Sequence, residues 1–169
     1  MLRPILRTVL AATLVVSAAP AASAAVNATT IKWPPWLSIE SPVNPFDAGN
    51  RGAVFLVHAM MREKVPGLDD LTASAEGMVN GERRTVALRI DATAQPGVFA
   101  VRRQWPTTGS WLVRVTLARS TTALVTLDND GSVASIRVPT RNVADQSLPR
   151  PVAAREIDSV LTTLAAQHP

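Results

Sequence analysis

From residue 53 to residue 138 the chain is a run of short apolar or alternating segments separated by turn residues, a punctuation that favours antiparallel β-structure. Ala53 to Met61 is apolar almost throughout, as a strand at the centre of a sandwich would be. Thr72 to Val79 and Arg83 to Asp91 flank Asn80-Gly81. Asn-Gly between two such runs predicts a hairpin, because a type I′ turn needs positive φ at both central residues. In the second of these runs Val86, Leu88 and Ile90 should point inward and Arg89 outward. Val98 to Trp105 and Ser110 to Ala118 are the next two strands, separated by Pro106 to Gly109. In the latter, Trp111, Val113, Val115 and Leu117 share one face, and Leu112, Arg114 and Thr116 the other. Thr121 to Leu127 and Ser132 to Val138 form a last hairpin around Asp128-Asn129-Asp130-Gly131.

Upstream, residues 25–50 form a Pro-rich lead-in with a first strand at Leu37 to Ser41. Downstream, residues 141–169 read as a polar linker followed by a helix. Ile157, Val160, Leu161 and Leu164 fall at i, i+3, i+4 and i+7, so one apolar stripe is available to dock on the sandwich. Pro151 is placed in the first helical turn. The fold expected is therefore mainly β, an antiparallel sandwich of seven or eight strands over residues 51–140 with a C-terminal amphipathic helix.

The first 24 residues read as a secretory signal peptide. Arg3 and Arg7 make a positive start, Leu10 to Val16 an apolar stretch, and Ala22-Ser23-Ala24 a cleavage site before Ala25. The apolar stretch is shorter than the roughly 20 residues of a spanning helix. The working chain is then expected to be secreted or periplasmic, with no membrane span. It has no Cys, so packing alone must stabilise it. The net charge of +4 falls to +2 once Arg3 and Arg7 leave, which removes most of the apparent case for a nucleic-acid partner.

Chemistry-bearing residues are sparse. There is no Cys or Tyr, and a Ser-His-Asp arrangement would have to use His58, since His168 is next to last. None of the serines stands in a Gly-x-Ser-x-Gly elbow. The chain is read as non-catalytic, with no cofactor. One alternative is copper held by His58, Met60 and Met78, because imidazole and thioether suit copper and His58 and Met60 share a strand face.

Trp33 and Trp36 are candidate binding aromatics, for a sugar or another ligand. The blander expectation is that Pro34-Pro35 pins both rings over one end of the core. Trp105 is expected to cap the sandwich. Arg83, Arg84, Arg89, Arg102, Arg103 and Arg114 could form a basic stripe for an anionic partner, with Arg102 and Arg114 as its binding candidates.

Gly97-Val98-Phe99-Ala100-Val101, Trp105-Pro106 and Gly109-Ser110-Trp111-Leu112-Val113 resemble a pair of strands in small exported bacterial immunoglobulin-like domains. YtkA-like and copper-resistance-type β-sandwiches are examples. Trp33 to Phe46 and Ala75 to Arg84 are similar to exported bacterial proteins of this kind. The resemblance implies an immunoglobulin-like sandwich. Copper-resistance-type domains carry a His at or near the mature N-terminus, where this chain would have Ala25. The function expected is that of a monomeric exported binding or accessory domain with a protein or cell-envelope partner.

Overall fold

A computed structural model describes residues 33–167. The segment read as a signal peptide, its expected cleavage site and His168 lie outside the described residues. In chain order the strands are β1 (Trp36–Glu40), β2 (Ala53–Met60), β3 (Leu71–Val79), β4 (Glu82–Leu88), β5 (Ile90–Ala92) and β6 (Val98–Arg102). They continue with β7 (Ser110–Leu117), β8 (Thr121–Leu127), β9 (Val133–Arg137), β10 (Thr140–Val143) and β11 (Gln146–Pro149), before helix α1 (Ala154–Gln167).

Two antiparallel sheets form the sandwich, in the orders β1-β2-β6-β5 and β4-β3-β7-β8-β9. With β4 and β9 set aside as flanking strands, four strands face three in the ABED/CFG connectivity of a constant-type immunoglobulin domain. The fold is thus the sandwich that the alternating segments imply. Its core lies between the sheets, where Phe55, Val57, Phe99 and Val101 from one meet Trp111, Val113, Val115 and Val125 from the other.

Strand β7 shows the alternation most plainly. Its odd residues are buried between the sheets, while its even residues face out of the second sheet. Leu112 faces out too, yet it is fully buried, because α1 covers it. Ile157, Leu161 and Leu164 pack on Leu112 and Leu124, with Val160 partly buried beside them. The helix stripe is spent on its own domain. Arg83 fastens it further, bonding Asp158 of the helix and the buried Glu76 of β3 at 2.6 Å each.

Three local expectations need correction. The run from Arg83 to Asp91 is two strands in different sheets, because the chain breaks at Arg89 and crosses the sandwich. Leu88 and Ile90 both remain in the core, so the apolar alternation runs on through the crossing. The linker after residue 140 contains a two-stranded hairpin, β10 with β11, closed by Ala144-Asp145 at φ 46° and 63°. Pro151 precedes the helix instead of lying in its first turn, and Ala153 N–H is taken by the Glu156 carboxylate at 3.1 Å. By contrast, Asn80 and Gly81 have φ 53° and 78°, as the type I′ turn requires.

Candidate functional site

One end of the sandwich carries most of the large apolar side chains exposed among the described residues. Trp33, Trp36, Met60, Val65 and Leu68 are each between 42% and 65% exposed. Strand geometry explains the group. Leu37 is buried in the core, so Trp36 must point out of the sheet. Trp36 lies directly opposite Met60 in the β1–β2 pairing, which puts the indole and thioether side by side on the outer face.

The loop after β2 brings in the other two. The Ala59 N–H donates to the Gly97 carbonyl at 2.8 Å, and Val65 Cγ1 stands 3.8 Å from where a Cβ on that glycine would lie. Leu68 begins a 3-10 turn whose last residue, Asp70, accepts from the Ala118 N–H at 2.8 Å. The start of β1, the end of β2, the start of β6 and the β7–β8 turn therefore converge at this end. Arg62, Glu63, Lys64, Asp69 and Arg119 are exposed there too, and Lys64 pairs with Asp70 at 2.6 Å. Among the described residues here, Arg62, Lys64 and Arg119 are matched in number by Glu63, Asp69 and Asp70.

Pro34-Pro35 does not pin the two tryptophans over the core: both rings are about half exposed. The lead-in is held instead through its backbone, since the Thr121 hydroxyl donates to the Pro35 carbonyl. Trp105, expected as a cap, is buried within the core, and its Nε1 has no hydrogen-bond partner among the described residues.

The arginines do not form one stripe. Arg102 is on the outer face of the first sheet, near the opposite end from Trp36, and is paired with Asp91. Arg114 is on the outer face of the second sheet, between Ser74 at 3.3 Å and Glu76 at 3.5 Å. Trp33 and Trp36 share an end, but Arg102 and Arg114 lie on opposite sides of the sandwich.

The three residues considered for copper are likewise divided. His58 and Met60 share the outer face of β2, and His58 Nε2 bonds the Glu40 carboxylate at 2.7 Å. Ser38 is the residue opposite His58. Met78 is on the other sheet, beside Arg83 and α1. No cluster of three or more His, Cys, Asp or Glu occurs among the described residues.

Clefts also lie elsewhere among the described residues. One, of about 320 Å³ between Met78, Arg83, Asp158 and Leu161, has its charged groups bonded to each other. The second, of about 330 Å³, runs beside edge strand β9 and is lined by Ser41, Pro42 and residues 132–136.

The apolar row is legible only in part from sequence. The parity of Leu37 and Ile39 turns Trp36 outward, but the pairing of Trp36 with Met60 needs the strand register. No helix among the described residues is long and apolar enough to cross a membrane. No protein-family model, no curated protein and no solved structure matches the chain.

Proposed function

We propose that this protein is an exported, non-catalytic binding or accessory domain that engages a partner in the cell envelope through the loop end of its sandwich. The observation that carries the reading is the grouping of Trp33, Trp36, Met60, Val65 and Leu68 at that end. Scattered exposed apolar residues are ordinary, but a group that includes two tryptophans marks a contact surface. In sandwiches of this connectivity the loops gathered at one end commonly do the recognising, because the sheets hold them rigidly. Export is supported by the N-terminal pattern of Arg3, Arg7, the apolar stretch and Ala22-Ser23-Ala24.

Cell fractionation tests the reading. The wild type and a Phe46→Ser variant, altered at an exposed residue in a different loop, should be retained with the envelope. A Trp36→Ser/Met60→Ser variant should be released into the soluble fraction. Equal retention of all three would overturn the assignment of this end as the contact surface.

A further inference from the structure

We infer that Met60 is a site of reversible oxidation by hydroperoxides, and that its conversion to the sulfoxide weakens the hold of the loop end on its partner. The consequence rests on the reading of that end as the contact surface; the chemistry at the sulfur does not.

Strand parity separates Met60 from its neighbour. Phe55, Val57 and Ala59 of β2 are buried between the sheets, and Met61 continues their face and packs against the same core. Met60 belongs to the opposite face and is 58% exposed. Met78 is half-buried in the cleft beside α1. Oxidation of a thioether follows its access to solvent, so Met60 should react first of the three.

The step needs only the peroxide. The sulfur lone pair attacks one peroxide oxygen, and the O–O bond breaks as the S–O bond forms. The departing oxygen takes up the proton of the transferred one and, from hydrogen peroxide, leaves as water. Sulfur loses two electrons and the peroxide gains them. A reductase that removes the oxygen restores the thioether.

The position of Met60 gives the step its consequence. Met60 lies opposite Trp36 in the β1–β2 pairing, within the exposed apolar group. Oxidation replaces a soft apolar sulfur with a polar S–O group that accepts hydrogen bonds from water. A partner that covers this side chain must then strip that water away. In the free domain the new oxygen faces solvent and asks nothing of the core. Oxidation of Met60 should therefore act on the contact and leave the stability of the fold alone. Oxidation of Met61, against the core, would do the reverse.

The test treats the protein isolated from exporting cells with limiting hydrogen peroxide and maps the products by tandem mass spectrometry. Sulfoxide at Met60 should form about fivefold or more ahead of that at Met61 and Met78. Equal rates, or a lead for either of the others, would overturn the assignment. The treated protein is then added to an envelope fraction from cells that lack it. Its cosedimentation should fall about threefold or more, with Tm unchanged, and methionine sulfoxide reductase should restore it. Met60→Leu removes the sulfur and keeps an apolar side chain. Measured against its own untreated level, that variant should not respond to peroxide.

A loss of binding that Met60→Leu shares, or one that comes with a fall in Tm, would trace the effect to other side chains and overturn the inference. If peroxide leaves cosedimentation unchanged while Trp36→Ser/Met60→Ser still abolishes it, the contact reading stands and the switch falls. If the double variant binds as well as the wild type, both fall.

Discussion

Gly77 sits directly opposite Trp111 in the β3–β7 pairing, at the centre of the second sheet. Its backbone is ordinary extended strand, so conformational freedom is not the reason for glycine. Space is. A Cβ at this position would stand 2.6 Å from Cδ2 and Cε3 of Trp111 and 2.8 Å from the Ser110 carbonyl oxygen. Ordinary contact begins near 3.4 Å, so the ring would have to retreat by most of an ångström. It cannot do so freely. Trp111 is buried in the core, and its Nε1 donates to the Thr108 carbonyl at 2.9 Å. Overpacking of this kind costs about 1–3 kcal/mol, and the backbone clash places Gly77→Ala near the top of that range. Alanine returns about 0.5–1 kcal/mol through the smaller entropy of its unfolded chain, leaving a net loss of about 2 kcal/mol. For a domain of this size that is a fall in Tm of roughly 6–8 °C. Calorimetry and urea unfolding of the wild type, Gly77→Ala, Trp111→Leu and the double variant measure it. The Gly77→Ala penalty should shrink in the Trp111→Leu background but not vanish, because the approach to the Ser110 carbonyl remains. A Gly77→Ala protein as stable as the wild type would refute the packing of the ring on the glycine.

Three further outcomes follow from named contacts. Trp105→Phe should cost less than Trp111→Phe by about 1–2 kcal/mol in urea unfolding, because Trp105 Nε1 lacks a partner whereas Trp111 Nε1 would leave a carbonyl unpaired. Replacing Ala144-Asp145 with Asn-Gly should stabilise the β10–β11 hairpin by about 1 kcal/mol, since both residues now hold left-handed backbone without being glycine. Arg150, followed by the Ala153 N–H, holds Glu156 down to a pKa of about 2. A depressed acid stabilises above its unfolded value, near 4.5, and loses that contribution as pH falls toward 2. Amide exchange at the start of α1 should therefore rise across that window in the wild type but not in Glu156→Gln.

Local pattern carries a long way in this chain and then stops for identifiable reasons. Asn80-Gly81 and the two faces of β7 are legible because a turn and an alternation depend only on neighbouring residues. Leu112 on the outward face already signals that something must cover it, and Ile157, Leu161 and Leu164 supply the cover. The break at Arg89 is invisible because Leu88 and Ile90 stay in the same core while the strand changes sheets. The β10–β11 hairpin is missed because Ala144-Asp145 lacks the glycine that usually announces such a turn.

The candidate site follows the same division. Parity places His58 and Met60 on one face and turns Trp36 outward. It cannot say that Met78 belongs to the other sheet or that Arg102 and Arg114 face opposite ways, because both depend on the order of strands. Nor can it bring Val65 and Leu68 to Trp36, since that depends on how a loop closes over Gly97 and against Ala118.

The central claim is that the loop end is the contact surface. A photo-crosslinking side chain introduced at Met60 or Val65, and separately at Phe46 or Ile136, tests it in intact exporting cells. The account predicts adducts from Met60 and Val65, and little or nothing from Phe46 and Ile136. Equal labelling from both sets, or adducts only from Phe46 and Ile136, would contradict it.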